Sequence, residues 1–253
     1  MFKNKLRGQL SSSLILLAIA FLCSACSVSV QNVSECNNSG IRYDSKGQYD
    51  LAIADFNKAI QMKPQYPDSY YNRGNAYKHQ QKYDLAIADY NKAIELNPQY
   101  LDAYVNRGVA YGSKNQYDLA IADFNKAIEL NPNDEVAYYN LGVVYGKKGQ
   151  DDVALANYNK AIALSPQYRD AYCMRGNMYQ KRGQYDLAIA DYNAIINLDP
   201  KDAEPYFGKG ETYKKAGRKS EAIQAYTLFI QHAPTDPDIE KVKREIRKLG
   251  GTI

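Results

Sequence analysis

The sequence contains few of the residues from which metal centres and nucleophilic sites are built. It has two histidines, His79 and His232, and four cysteines in 253 residues. Beyond residue 25 only Cys26, Cys36 and Cys173 remain, and they lack the spacing of a metal site. No glycine-rich phosphate loop and no serine, histidine and aspartate set is evident. We therefore expect no enzymatic activity, no cofactor and no metal.

The sequence also lacks a strong excess of charge of either sign. Its formal net charge is +4, and Lys3, Lys5 and Arg7 lie in the first 25 residues, which hold no acidic residue. The remainder therefore carries a net charge of only +1. Proteins that bind nucleic acid usually show a basic patch or stripe, so the composition argues against a nucleic-acid partner.

The apolar run near the N-terminus is short. It extends from Leu14 to Leu22, and nine residues are too few to span a bilayer comfortably. It follows the three basic residues and precedes small ones, which is the organisation of a secretion signal. We predict a signal peptide over residues 1–25, a linker over 26–32 and an exported protein.

The residues before Cys26 resemble the end of a bacterial lipoprotein signal, in which a small residue precedes the cysteine that receives lipid. Ser24 and Ala25 fit the two preceding positions, whereas Cys23 stands where an aliphatic residue is usual. The resemblance implies lipidation of Cys26 and a membrane-anchored protein of the bacterial cell envelope. The alternatives are an ordinary cleaved signal, giving a secreted or periplasmic soluble protein, and an uncleaved membrane anchor.

The dominant feature of the chain is a block of about 20 residues that occurs five times at a spacing of 34 residues. The prolines that close the five copies, and a looser sixth copy, are Pro64, Pro98, Pro132, Pro166, Pro200 and Pro234. A fixed period of this length indicates a solenoid of stacked units. The six predicted repeats cover residues 33–236, as 33–66, 67–100, 101–134, 135–168, 169–202 and 203–236.

Each repeat has the pattern of two amphipathic helices. In residues 67–100, Tyr70 and Tyr77 share one face of the first helix, and Ala86 and Tyr90 share one face of the second. The closing proline ends the second helix because it cannot continue the backbone hydrogen-bond ladder. One helical hairpin cannot bury its apolar faces alone, so neighbouring hairpins must stack.

These residues resemble the tetratricopeptide repeat family, whose pattern is an aromatic residue, glycine and tyrosine, then alanine, an aromatic residue, alanine and proline. The residues that fill these positions in the second repeat are Tyr70, Gly74, Tyr77, Ala86, Tyr90, Ala93 and Pro98. The resemblance implies an all-α, right-handed α-solenoid. It also implies a non-catalytic scaffold that binds proteins or peptides in a concave groove lined by the first helices.

A charged pair also recurs sixteen residues apart, from the first helix to the second. The pairs are Arg73 with Asp89, Arg107 with Asp123, and Arg175 with Asp191. The fourth repeat has Leu141 and Asn157 instead. Because arginine and aspartate change together, we predict a partly buried, structural ion pair between the two helices.

The C-terminal segment, residues 237–253, has its own helical pattern. Ile239, Val242 and Ile246 fall on one stripe, and most of its basic residues lie off that stripe. We predict a helix that caps the last repeat. The alternative is a basic amphipathic helix that touches a membrane surface.

The candidate partner-binding residues lie on the first helices. Four asparagines at equivalent positions, 34 residues apart, resemble the asparagine ladder of the O-GlcNAc transferase superhelix, which holds peptide backbones; the alternative is that asparagine is simply common in this repeat. An asparagine amide both donates and accepts hydrogen bonds. The predicted groove residues are Asn38, Asn72, Asn106 and Asn140, with Tyr71, Asn75, Val105 and Tyr139 beside them.

The sequence favours a protein- or peptide-binding adaptor of the bacterial envelope, resembling envelope tetratricopeptide lipoproteins. Some family members bind C-terminal carboxylates through a lysine and asparagine clamp, but the positions equivalent to Tyr71 hold no lysine. Two alternatives stay open. One is a pilotin-like assembly factor for an outer-membrane complex, and the other is a regulatory subunit of a glycan-modifying enzyme.

Overall fold

The computed structural model describes residues 32–252, and this part of the chain is built of helices joined by short turns. The predicted signal peptide and Cys26 lie outside the described residues. The thirteen helices of the described part are α1 (Val33–Asp44), α2 (Tyr49–Met62), α3 (Pro67–His79), α4 (Tyr83–Leu96), α5 (Leu101–Ser113), α6 (Tyr117–Leu130), α7 (Glu135–Lys147), α8 (Asp151–Leu164), α9 (Arg169–Lys181), α10 (Tyr185–Leu198), α11 (Glu204–Lys215), α12 (Lys219–His232) and α13 (Ile239–Leu249).

The predicted all-α architecture of successive helix–turn–helix pairs is therefore confirmed. Odd-numbered helices up to α11 are the first helices of the repeats, and even-numbered ones are the second helices. The chain divides into two compact units between Lys82 and Tyr83. The first unit holds α1 to α3, and the second holds α4 to α13.

The ends of the helices follow from proline and from a left-handed turn residue. Each second helix ends two residues before a repeat proline. The residue between them is extended, as at Asn131, whose φ is −138°, because a following proline disfavours helical backbone. Each first helix ends in a turn with a positive φ, at Gly149 (74°) and Gly183 (73°) for example. Glycine adopts this conformation without steric cost.

The core of each hairpin consists of small residues packed around one aromatic ring. In α6, Ala120, Phe124 and Ala127 are at most 1% exposed. The first helix offers a glycine to the ring of the second: a Cβ added at Gly142 would lie 2.5 Å from Cε1 of Tyr158. The absence of a side chain at this glycine is therefore what lets the two helices approach each other.

The predicted arginine–aspartate pairs are confirmed in the second unit. The guanidinium of Arg107 donates two hydrogen bonds to Asp123, at 2.6 and 2.8 Å. Arg175 binds Asp191 in the same way, at 2.6 and 2.9 Å. Burial raises the pKa of Asp191, and the guanidinium pulls it back toward its ordinary range.

Each of these arginines also has a third partner that the sequence did not reveal. Nη1 of Arg107 donates to Asn91 at 2.6 Å, and Nη1 of Arg175 donates to Asn159 at 2.5 Å. Both asparagines lie on the second helix of the preceding hairpin. The arginine therefore joins its own hairpin to its neighbour, which makes it part of the scaffold.

The C-terminal helix α13 caps the last hairpin, as predicted. Its apolar stripe is buried: Ile239 is 9% exposed, Val242 1% and Ile246 0%. Val242 and Ile246 pack in one cluster with Tyr226 and Phe229 of α12. Because this stripe lies against the protein, it is not free to enter a membrane interface, as the alternative would require. Within residues 32–252, no helix combines the length and apolarity that a membrane span needs.

Candidate functional site

The second unit carries a row of three cavities on the side formed by its first helices. A cavity of about 100 Å³ lies between α5 and α7, one of about 270 Å³ between α7 and α9, and one of about 220 Å³ between α9 and α11. We call the second of these the central cavity. Its walls include Val143 of α7 and Met174 and Met178 of α9.

An aromatic residue of the second helix lines each cavity. These residues are Phe124, Tyr158 and Tyr192, at equivalent positions 34 residues apart. Each ring is at most 2% exposed. Where the residue is tyrosine, burial removes its hydroxyl from solvent, so the hydroxyl needs a partner inside the protein.

The partner of this hydroxyl is the residue fifteen positions earlier, on the first helix. Tyr192 donates to Oδ1 of Asn177 at 2.7 Å, and Tyr226 donates to the carboxylate of Glu211. At Phe124 the corresponding residue is Val109, and at Phe56 it is Ile41. Tyrosine thus stands opposite a polar residue, and phenylalanine opposite an apolar one.

Tyr158 breaks this rule. The residue fifteen positions before it is Val143, which cannot accept a hydrogen bond. The hydroxyl of Tyr158 is buried and finds no hydrogen-bond partner among the described residues. Burial raises the pKa of Tyr158, so the phenol stays protonated. The central cavity is therefore lined by a neutral hydroxyl whose hydrogen-bonding capacity is unused.

A second polar atom of the same cavity has no partner. Asp151 lines it at the start of α8, and Oδ1 of this side chain is buried without a hydrogen bond. The other oxygen, Oδ2, lies 3.2 Å from Nζ of Lys181. One carboxylate oxygen of Asp151 is thus neutralised at the rim, and the other remains an unused acceptor.

The rim of the row is basic at the C-terminal ends of the first helices. Lys147, Lys181 and Lys215 occupy equivalent positions on α7, α9 and α11, and all three are exposed. Lys181 pairs with Asp151, whereas Lys147 makes no ion pair within residues 32–252. These lysines place positive charge beside the cavities, where it favours an acidic partner.

The structure distributes the predicted asparagine row over both units. Asn38 and Asn72 lie on α1 and α3 of the first unit, and Asn106 and Asn140 lie on α5 and α7 of the second. Asn38 is exposed and the other three are half-buried. Asn140 lines the cavity between α5 and α7, but its Nδ2 already donates to the Val136 carbonyl at 2.9 Å.

The predicted residues beside that row are less accessible than their pattern suggested. Val105 was expected to be exposed in the groove, and this expectation is wrong: it is only 8% exposed and packs in the core with Phe124 and Leu141. Tyr139 is half-buried, with its ring centroid 5.1 Å from that of Tyr168. Tyr71 and Asn75 are also half-buried, and each interacts with other residues of the protein.

The residues that line the central cavity were not among the predicted ones. Met174 occupies the position of the asparagine row where the row ends, and Asn177 lies one turn further along α9. A signal for this site was present in the sequence: Tyr158 is the aromatic of the second helix that faces valine at the fifteen-residue spacing. Only the structure shows that this spacing is a hydrogen bond in the neighbouring hairpins.

Neither cysteine of the described part forms a disulfide. Cys36 is buried, and Cys173 is half-buried beside the cavity between α9 and α11. Burial raises the pKa of the Cys173 thiol, which keeps it in its less reactive form. Within residues 32–252, no group of histidine, cysteine, aspartate and glutamate is placed to hold a metal ion.

Family models of the tetratricopeptide repeat match the chain almost without interruption. One model, described as Tetratricopeptide repeat, matches residues 67–100, and others of the same description match 89–122 and 176–247. A model described as TPR repeat matches residues 40–81, 110–149 and 147–183. No curated protein matches the sequence significantly.

Solved structures show the same fold. The type IV pilus biogenesis factor PilW has a TM-score of 0.75 at 20% identity, covering 83% of this chain and 97% of PilW. YrrB, described as a TPR protein with an unusual peptide-binding site, has a TM-score of 0.58 at 26% identity, covering 75% of this chain and 97% of YrrB. A chain of the APC/C hetero-tetramer Cut9–Hcn1 has a TM-score of 0.71 at 19% identity. That match covers 88% of this chain and 44% of the other, so this chain spans less than half of that protein's length.

Proposed function

This chain belongs to the tetratricopeptide repeat family, and we propose that it is an adaptor that binds segments of other proteins along the cavity row of its second unit. Such an adaptor needs no catalytic residues. Its task is to hold a partner segment on a rigid surface, and a stacked helical scaffold suits this task because each hairpin positions the next.

The observation that supports this proposal is the row itself. Three cavities follow one another between successive first helices, and each is lined by apolar side chains with a few polar atoms. Binding sites for small groups and peptide side chains are typically concave and mostly apolar, with few convergent polar groups. A repeated series of such sites fits an extended segment that places one side chain in each.

The likeness to YrrB adds support from outside the chain. YrrB is described as having a peptide-binding site, and its sequence is 26% identical to this one. We extend peptide binding to this chain on that basis and on the cavities, without assigning the same residues.

A cross-linking pull-down from bacterial membranes tests the proposal. The full chain is compared with Met174→Glu, which places a charge in the central cavity, and with Leu187→Glu as a matched control. Leu187 is 48% exposed on the second helix α10. We expect the partner to be recovered with the full chain and the control and lost with Met174→Glu. If no partner is retained, or if both folded variants retain it equally, the proposal is wrong.

The asparagine row has its own test in the same assay. A variant with Asn72, Asn106 and Asn140 replaced by alanine is expected to recover less partner if these amides hold the peptide backbone. Unchanged recovery would remove the ladder while leaving the cavity row as the binding surface.

We further propose that the chain is a bacterial envelope lipoprotein anchored through Cys26. The support is the arrangement of basic, apolar and small residues before Cys26. Metabolic labelling with a fatty acid should mark the wild-type chain and leave Cys26→Ser unlabelled. Equal labelling of the two would exclude this anchor, and a soluble periplasmic or secreted protein would then follow.

A pilotin-like assembly factor is the second candidate. It is favoured by the mutual coverage with PilW, whose printed description is a type IV pilus biogenesis factor. Deletion of the gene in its host should then impair assembly of a pilus or secretin. The regulatory subunit of a glycan-modifying enzyme stays a prediction, which co-purification of such an enzyme would support.

A further inference from the structure

We propose that the central cavity is an anchor site for a tyrosine side chain carried by an acidic segment of the partner. This inference rests on the proposed adaptor function and names the chemistry that the site selects. It is carried by three features of the second unit: two unused polar atoms, an apolar wall and a basic rim.

The first feature is the unmatched hydroxyl of Tyr158. A buried polar group without a hydrogen bond carries a desolvation penalty, and such groups are rare in native structures. The penalty could have been avoided in two ways that this chain uses elsewhere. One is phenylalanine, as at Phe124, and the other is a polar residue on the first helix, as at Asn177. Tyr158 with Val143 uses neither, so its hydroxyl remains available to a ligand.

The second feature is the shape and lining of the cavity. Its volume of about 270 Å³ accommodates a large side chain, and Val143, Met174 and Met178 provide apolar contact. Methionine side chains are flexible and polarisable, and they make favourable contacts with aromatic rings. The occupant should therefore have a large, apolar and preferably aromatic body.

The polar atoms decide what stands at the tip of that body. The unused Oδ1 of Asp151 accepts a hydrogen bond, and the hydroxyl of Tyr158 donates or accepts one. A carboxylate tip would be repelled by Asp151, and a cationic tip would have to pass Lys147 and Lys181 at the rim. A neutral phenol hydroxyl satisfies both atoms and meets no repulsion, so tyrosine fits best.

The third feature is the charge of the rim. Lys147 is exposed and makes no ion pair within residues 32–252, while 69% of the Lys181 side chain is exposed. Lys215 continues this row on α11. Acidic residues on either side of the anchoring tyrosine would lie near these ammonium groups and would strengthen association at low salt.

The direct test measures binding of defined peptides to the full chain by fluorescence polarisation. The probe is the labelled pentapeptide Glu-Glu-Tyr-Glu-Glu. Its matched controls carry phenylalanine in place of tyrosine, or lysine in place of every glutamate. We expect the tyrosine peptide to bind about tenfold more tightly than the phenylalanine peptide, because the latter leaves the two polar atoms unpaired. The lysine peptide should bind more weakly than both.

Two variants of the protein connect this preference to Tyr158. Tyr158→Phe keeps the ring and reproduces the residue at position 124, so it should fold and lose the preference for tyrosine over phenylalanine. Val143→Asn supplies the hydrogen-bond partner that Asn177 gives Tyr192. It should raise the melting temperature and also abolish the preference. The rise in melting temperature checks that the hydroxyl is unsatisfied in the wild type.

The outcomes separate this inference from the adaptor function. Equal binding of the tyrosine and phenylalanine peptides, or a preference that survives Tyr158→Phe, would overturn the anchor site. If membrane partners are nevertheless recovered and lost with Met174→Glu, the adaptor function stands and only its specificity is wrong. If no partner is recovered at all, both proposals fail.

Discussion

The α7–α8 and α9–α10 hairpins are neighbours with the same backbone plan, yet they differ at the two places where side chains join their helices. In α9–α10, Arg175 binds Asp191, and Tyr192 binds Asn177. In α7–α8, the arginine is replaced by Leu141, and the tyrosine hydroxyl has no partner.

The two differences are not of the same kind. The loss of arginine is compensated, because Asn157 replaces the aspartate and no buried charge is left alone. The loss of the hydroxyl's partner is not compensated, because Tyr158 retains its polar atom. A compensated change preserves the scaffold, whereas an uncompensated one is expected where a site has a function. The following predictions test this comparison, from the largest expected effect to the smallest.

Removing the arginine of the regular hairpin should have the largest effect. Arg175→Ala leaves the carboxylate of Asp191, which is 3% exposed, without its counter-ion. We expect a loss of about 3 kcal/mol in the free energy of unfolding, measured by urea denaturation. The control is Arg182→Ala, which removes a pair with the 89% exposed side chain of Asp152 and should cost less than about 0.5 kcal/mol. Similar losses in both variants would contradict a structural role for the buried pair.

Grafting the pair into the irregular hairpin is the second test. Leu141→Arg alone should cost about 2 to 3 kcal/mol because it buries an unpaired charge. Adding Asn157→Asp should recover about 2 kcal/mol of this loss, since the arginine then gains the partner that Arg107 and Arg175 have. A double-mutant cycle in urea denaturation measures this coupling. Additive effects would show that the two helices of this hairpin cannot form the bridge.

Filling the glycine beside the aromatic ring should also destabilise the protein. An alanine Cβ at Gly142 would lie 2.5 Å from the ring of Tyr158, and the required shift should cost about 1 to 2 kcal/mol. Gly112→Ala is the matched control because its Cβ would meet only Val144, at 3.6 Å. That variant should gain up to about 1 kcal/mol from better helix propensity. The opposite signs can be read from melting temperatures, and equal signs would refute the packing argument.

The smallest effect concerns the dependence of stability on pH. Glu211 occupies the position of Val143 in the α11–α12 hairpin. Burial alone would raise its pKa, but hydrogen bonds from Lys214 and Tyr226 outweigh burial and hold the pKa below the ordinary 4.5. Its stabilising contribution is therefore present above about pH 4.5 and is lost as the pH falls through the lowered pKa. Between neutral pH and pH 3, the wild type should lose more melting temperature than Glu211→Gln. Parallel curves would show that the carboxylate contributes nothing.

The helices were predictable from the sequence because their determinants are local. A proline two residues after each second helix, and glycine in most of the turns after the first helices, act through the backbone itself. The arginine–aspartate pairs were predictable because the two residues change together between repeats. The third partner, Asn91 or Asn159, was not, since it lies on the preceding hairpin and its spacing has no meaning until hairpins are stacked.

The candidate site was predicted less well than the fold. The asparagine row lies on the expected helices, but Val105 is buried in the core and Asn140 donates a hydrogen bond to its own helix. A helical pattern shows which face a residue occupies. It does not show how closely the neighbouring helix covers that face, and the cavities lie where that covering is incomplete.

The sequence by itself determined the family, the all-helical fold, the bounds of the second helices and the residues of the repeated core. These depend on periodicity and on the conformational limits of proline and glycine, which operate over a few residues. Only the tertiary structure decided which groove positions are accessible and that the hydroxyl of Tyr158 has no partner. Accessibility and hydrogen bonding depend on distances between helices, and those distances are set by the packing of whole side chains across successive hairpins.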